Sequence, residues 1–230
     1  VGAWGDAEAT FRELTALMPA SPWAAGRLSK ALARQGKHDE ALVAAKHALD
    51  LSPTSLEARL EYGSRLIDAG KVADAVTQLQ PLASAPAARG EHLLRLGWAQ
   101  WLLGNVEGAG ASFEKALAVS TLPGDWRTKG RASYDLALVE AKRGKPDAAR
   151  AALRVALQTG LKLRTVDPLL ATAARELERA EASPDAGGAL ALKPTVLPRE
   201  ASLFPVDTFG DVDPAAKKPP PPEGLVLGRF

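Results

Sequence analysis

The chain has no cysteine, so it forms no disulfide and offers no thiolate to a metal, though this absence does not choose a compartment. Histidine is scarce: His38, His47 and His92 are scattered, none at the i, i+4 spacing of a helical metal pair, and all three are expected at the surface. Charge of one sign is lacking too. A net charge of +2 gives no strong field for nucleic acid. No run of about 18 apolar residues exists, so no segment reads as a membrane-spanning helix. The phosphate-loop, nucleophile-elbow and HExxH patterns are missing. Gly108-Ala109-Gly110 only mimics a glycine-rich loop, and close helix packing accounts for its small residues. Asp39-Glu40 stand where acids favour the start of a helix, not as a buried carboxylate pair. Neither catalysis nor a cofactor is expected.

What the chain has is periodicity. Gly2, Gly36, Gly70 and Gly104 are 34 residues apart, and Gly144 follows after 40. Five residues after each stands an alanine: Ala7, Ala41, Ala75, Ala109 and Ala149. Four further on come Phe11, Ala45, Leu79, Phe113 and Leu153; three beyond those come Leu14, Ala48, Leu82, Ala116 and Ala156. A period of this length marks a stack of supersecondary units, and such stacks serve as binding scaffolds far more often than as catalysts. Each cassette reads as a helical hairpin. Glycine ends the first helix, where a left-handed residue is needed, and small residues let the second helix pack closely. Ser21 to Ser55 shows the unit best, with Leu28, Ala31 and Leu32 before Gly36, then Ala41, Ala45, Ala48 and Leu49, and Pro53 to close it.

These positions resemble the tetratricopeptide repeat (TPR) family. The family's large–small pair in helix A is matched by Leu28-Ser29, Tyr62-Gly63, Leu96-Gly97 and Leu136-Ala137. Its closing proline is matched by Pro19 and Pro53, whereas Ala87, Thr121 and Leu161 replace it in later units. Its early tryptophan is replaced by Ala25, Arg59, Leu93 and Ser133. The resemblance covers residues 1 to about 163 and implies an all-α fold, a right-handed α-solenoid of helical hairpins. Its register gives a half repeat over 1–20 with Gly2 at the turn, so a longer parent chain is expected. Full repeats follow over 22–55, 56–89, 90–129 and 130–163. A six-residue insertion lies near Ser120–Lys129, where Asp125 can cap a lengthened helix A. Pro81 should kink or end its helix early. Asp167-Pro168 opens a charged capping helix over 167–182 that completes an array spanning 1–182.

From Ser183 the composition changes. Nine of the 17 prolines lie between Pro184 and Pro222. Residues 183–190 read as a linker and 216–224 as a polyproline II rod, so 183–230 forms an extended Pro-rich tail. Within it Leu197, Leu203, Phe204, Phe209 and Phe230 are an apolar load unusual for a solvated tail, and they are expected to dock on the array or on another subunit.

In the family the A helices line the concave face. Transferring its groove positions marks Leu60, Ile67, Leu94, Arg95, Trp98, Trp101, Tyr134 and Leu138 as a protein-binding groove. Trp98 and Trp101 share one helix face. Because Leu93, Leu96 and Gly97 fill the packing role, at least one of the two is expected to stand clear for a ligand. Positions of the family's carboxylate clamp carry Gly26, Lys30, Glu61, Glu91 and Arg95, an acid-bearing set that speaks against an adaptor for chaperone tails. The resemblance therefore implies a non-catalytic scaffold or accessory subunit whose partners are proteins, not nucleic acids. The Ala/Arg/Leu-rich style points to bacteria and favours a periplasmic or membrane-associated assembly. The alternative is a substrate-recruiting module of a larger enzyme such as a glycosyltransferase.

Overall fold

The computed structural model describes residues 2–121 and 125–159. Among these residues nine α-helices follow one another without a strand. They are α1 (Gly2–Leu17), α2 (Pro22–Arg34), α3 (His38–Leu51), α4 (Leu56–Asp68), α5 (Val72–Ser84), α6 (Gly90–Leu102), α7 (Val106–Val119), α8 (Trp126–Lys142) and α9 (Pro146–Thr159). Each helix packs on the next, and α2, α4, α6 and α8 also touch in series. This is the connectivity of a solenoid, with the even-numbered A helices along one face and the odd-numbered B helices along the other. The capping helix expected over 167–182 and the tail residues Leu197, Leu203, Phe204, Phe209 and Phe230 lie outside the described residues.

The turns follow from glycine. Gly36, Gly70, Gly104 and Gly144 all take φ between 71° and 79°, a region that costs an L-residue about 1–2 kcal/mol. The residue after each glycine donates its N–H to a carbonyl five positions back: Lys37 to Leu32 at 3.0 Å, Lys71 to Leu66 at 2.8 Å, Asn105 to Gln100 and Lys145 to Glu140 at 2.9 Å. Those bonds satisfy carbonyls that a helix end leaves orphaned. Gly2 is the first residue of α1. Helix starts are capped by Ser21, Ser55 and Asn105, whose side-chain oxygens accept from the N–H of Ala24, Ala58 and Gly108. Asp125 takes the N-cap position of α8, which has 17 residues against 13 in α6. The insertion thus lengthens this A helix by about one turn, as its sequence predicts. Pro81 does not end α5, which runs on to Ser84. Both Pro81 and Thr77, whose carbonyl loses its i+4 donor, are exposed, so water can serve that carbonyl.

The core is a row of B-helix knobs in A-helix holes. On α3, α5, α7 and α9 the twelve cassette residues are at most 1% exposed. The holes are made by small residues. A Cβ on Gly63 would stand 2.5 Å from Leu79 Cδ2, and one on Gly97 would drive into the Phe113 ring. A Cβ on Gly110 would meet the Arg143 guanidinium at 2.7 Å, and that flexible end would have to shift. That guanidinium bridges Glu107 of α7, 2.6 Å away, and Glu140 of α8, tying two repeats together.

Two carboxylates fasten α1: Glu40 of α3, 2.5 Å from the Arg12 guanidinium, and Glu8. Glu8, though 8% exposed, accepts from Lys37 Nζ at 2.6 Å, Gln35 Nε2 at 2.8 Å and Arg12 Nε at 2.9 Å. Hydrogen bonds from Lys37 and then Arg12 hold its carboxyl down at about 2, against an ordinary value of 4.5. The sign follows from linkage. Above about pH 4.5 the carboxylate is ionised whether or not α1 is docked, and its contribution is complete; as pH falls from there towards 2 the contribution is lost. Amide exchange, corrected for its intrinsic rate, should therefore show protection of α1 fading selectively between pH 4.5 and 2.5 while α3 holds. Protection of α1 that does not change over that window would contradict this role for Glu8.

A candidate protein-binding groove

The face of α2, α4, α6 and α8 is unusual in how dry it is. Every residue from His92 to Gln100 is buried, on all sides of α6. Leu94, Trp98, Tyr134 and Leu138 join one cluster, with Trp101 packed half-buried against it. Leu60, with Ile67 half-buried beside it, belongs to the cluster of the preceding unit. The eight expected groove residues therefore line successive A helices, but they are not one open aromatic patch. Trp98 is only 2% exposed and meets Phe113 edge-on, with ring centroids 6.2 Å apart. The sequence argument that Leu93, Leu96 and Gly97 already fill the packing role is corrected for this residue. Gly97 leaves a hole that admits the Phe113 ring, and Trp98 packs against that ring from the next position. Trp101 retains partial exposure.

Charges are interleaved with these side chains, and here the sequence reading fell short. Ser29 Oγ donates to Glu61 Oε1 at 2.8 Å, Arg65 Nε lies 3.3 Å from the same oxygen, and Arg65 Nη1 lies 3.2 Å from Asp68 Oδ2. Arg95, also buried, is pushed down to about 10 by desolvation, while Glu91, Asp68 and Glu61 hold it up. It remains a cation at neutral pH. Glu91 is raised by burial, against the pull of Arg95. Burial works to raise Glu57 as well, but Lys30, 2.9 Å away, prevails together with Arg89 and His92, and its carboxyl sits low. Asp135 is 1% exposed beside Tyr134. The i, i+4 spacing of Glu61 and Arg65 and the i, i+3 spacing of Arg65 and Asp68 were the available signals. Such pairs on a helix are usually solvated, so their spacing alone does not predict burial.

His92 corrects another expectation. It is 1% exposed, its Nδ1 accepts the N–H of Arg89 at 3.1 Å to cap α6, and burial followed by the Arg89 charge lowers its pKa. His47 stays exposed as expected, and His38 is half-buried. Among the described residues no three His, Cys, Asp or Glu side chains cluster as a metal site. None of the described helices is long and apolar enough to cross a membrane. Ala109 is buried in α7, so the NVEGAGAS stretch is helix packing and not a phosphate loop.

Comparison with known proteins agrees with this architecture. Three profiles described as Tetratricopeptide repeat match residues 1–55, 32–96 and 93–120. No curated protein matches the sequence. Among solved structures the chain is similar to MamA (residue 41 to the end) of Desulfovibrio magneticus RS-1, with 18% identity, a TM-score of 0.58, and coverage of 72% of this chain and 89% of that one. A thermophilic TPR protein of Thermus thermophilus gives 21% identity and a TM-score of 0.60 over 76% of this chain and 92% of that one. YrrB, described as a TPR protein with an unusual peptide-binding site, gives 15% identity and a TM-score of 0.55 over 77% and 86%. The 34-residue cassette, the four left-handed glycines, the knob-in-hole hairpins and these matches agree: the chain belongs to the tetratricopeptide repeat family.

Proposed function

We propose that the chain is a non-catalytic scaffold that holds a peptide or subunit segment of a protein partner along the A-helix face from α4 to α8. The observation that supports it is the row of groove residues on successive A helices, of which Ile67 and Trp101 keep partial exposure. Apolar anchors (Leu60, Ile67, Leu94, Trp101, Tyr134, Leu138) would give contact area, and Arg95 among its acids would give polarity for selection. That YrrB is described as having a peptide-binding site adds an analogy at the level of the fold. The tail residues Leu197, Leu203, Phe204, Phe209 and Phe230 would dock on the array or on an adjoining subunit of an envelope or membrane-associated complex.

Trp98→Ala would open the core, so the informative variant is Trp101→Ala with Ile67→Ser, both partly exposed. A partner captured by the wild-type chain should be lost by this variant while its circular dichroism shows the array still folded. A partner retained would move the interface to the B-helix face. A chain truncated at Ser183 with wild-type stability and partner affinity would remove the tail from the reading.

A further inference from the structure

The middle of the A-helix face is closed while its two ends are open. On α4, α6 and α8 the pairs Glu61 and Ser64, Arg95 and Trp98, and Asp135 and Leu138 are at most 7% exposed. These pairs share two registers, three residues apart, and so leave from one side of their helices. Towards the helix starts Glu57 is exposed, and towards the helix ends Leu102 and Lys142 are. In the same two registers of α2, Arg27 and Lys30 are only half-buried. The closed part is therefore a strip that crosses three A helices and is about 4.5 Å wide, at about 1.5 Å of rise per residue.

Side-chain bulk does not account for the strip. Ser64 and Asp135 are too short to close over themselves, and the longer Lys30 stays half-open in the register of Ser64. Among the described residues no helix runs across this face: each packs on its chain neighbours, and the A helices touch in series. The width is that of one extended chain, since neighbouring strands lie about 4.8 Å apart.

We propose that the strip is the seat of this chain's own residues 203–209, which lie outside the described residues, and that a partner must displace them to enter the groove. This regulation rests on the reading of the A-helix face as a groove for a chain segment. Spacing selects the occupant. Packed helix axes stand about 8–10 Å apart, so the strip offers one seat per A helix at that interval. A polyproline II chain has about three residues per turn and rises about 9 Å per turn, so every third side chain returns to one face at the same interval. Leu203, Val206 and Phe209 keep that spacing, with Pro205 among them to hold the extended path. Within 183–230 this row, continued by Val212, is the one set of three or more large apolar residues that does so. The expected capping helix over 167–182 is a poorer cover, because as the next A helix it reaches α8 but not α4. Reach is no obstacle: a flexible chain of the length between Thr159 and Leu203 spans about 35 Å, against about 20 Å from α8 to α4.

The chain has no cysteine, so introduced ones report position. In the full chain a short bismaleimide should join Asp207→Cys to Leu102→Cys on α6 at least tenfold faster than to Val43→Cys, which is 71% exposed on the B-helix face. Leu203→Ser, Val206→Ser and Phe209→Ser together should abolish that preference with the circular dichroism of the array unchanged. The same triple variant should bind a labelled synthetic peptide of residues 200–212 at least tenfold more tightly than the wild-type chain does. Ser64→Arg, which fills the strip, should remove that binding. Equal joining to Leu102→Cys and Val43→Cys overturns the proposal, as does a peptide that binds the triple variant no better than the wild-type chain or ignores Ser64→Arg. A product with the mass of two joined chains overturns it too, since the segment would then sit on a neighbour. Each of these failures leaves the groove itself to be judged by partner capture with Trp101→Ala and Ile67→Ser.

Discussion

Phe113→Ala is expected to cost the array about 3–5 kcal/mol in chemical denaturation, the range for emptying a phenylalanine site in a core. The ring is 1% exposed, lies over Gly97 and stands edge-on to Trp98, so its removal opens a cavity between two helices that have no side chain to fill it. Gly97→Ala, the reciprocal change, separates this packing from helix propensity. In an exposed helix interior the exchange would stabilise by about 1 kcal/mol. Here the added Cβ meets a rigid, fully buried ring, and overpacking of this kind costs about 1–3 kcal/mol. The net sign should be destabilising. The repeat supplies its own rescue. In the register of Gly97 and Phe113 the last described unit carries Ala137 and Leu153, both 0% exposed, so an Ala–Leu pair fits the same hairpin. Gly97→Ala with Phe113→Leu should therefore recover most of the loss, a coupling of at least about 1 kcal/mol in a double-mutant cycle. Additive effects would mean that knob and hole are not matched as a pair.

That pairing marks the boundary of what could be read from residues alone. The turn glycines, the cassette alanines and the large–small pairs are local signals repeated at a fixed period, so they returned the hairpins, their order and the longer α8. Gly2, in the register of the turn glycines, is the first residue of α1. Pro81 misled because its cost depends on where the freed carbonyl points, and a single sequence does not show that Thr77 faces water. The site was harder. Groove positions were transferred by register, and register says which face a side chain leaves from but not how deeply its neighbours close over it. The linear register leaves open which of Trp98 and Trp101 stands clear; the hole at Gly97 is visible only once Phe113 is placed across from it. His92 and Arg95 look like surface residues in a sequence window. Their burial comes from contacts made across repeats, which no local window contains.

Arg95→Met should lower stability by about 3–5 kcal/mol at neutral pH, the cost of stripping one partner from a buried charged cluster. Arg95 is 7% exposed, and its pKa, pushed down to about 10 by burial, is supported by Glu91, Asp68 and Glu61. Without the cation those carboxylates keep their desolvation and lose their compensation. Glu91 shows this most clearly, since burial already raises it and Arg95 is the first group pulling it back. In the variant its folded-state pKa should climb further. A carboxyl whose pKa is higher folded than unfolded takes up protons on folding, so its penalty is greatest above the folded pKa and is relieved as pH falls through that value. The gap between variant and wild type should accordingly narrow from pH 7 to pH 5 in parallel urea titrations. Simple loss of packing would leave the gap constant, because methionine replaces most of the aliphatic stem and does not titrate. The pH dependence therefore decides whether Arg95 is held as the counter-charge of its acids. If the gap does not narrow, these acids are not what holds Arg95 in place.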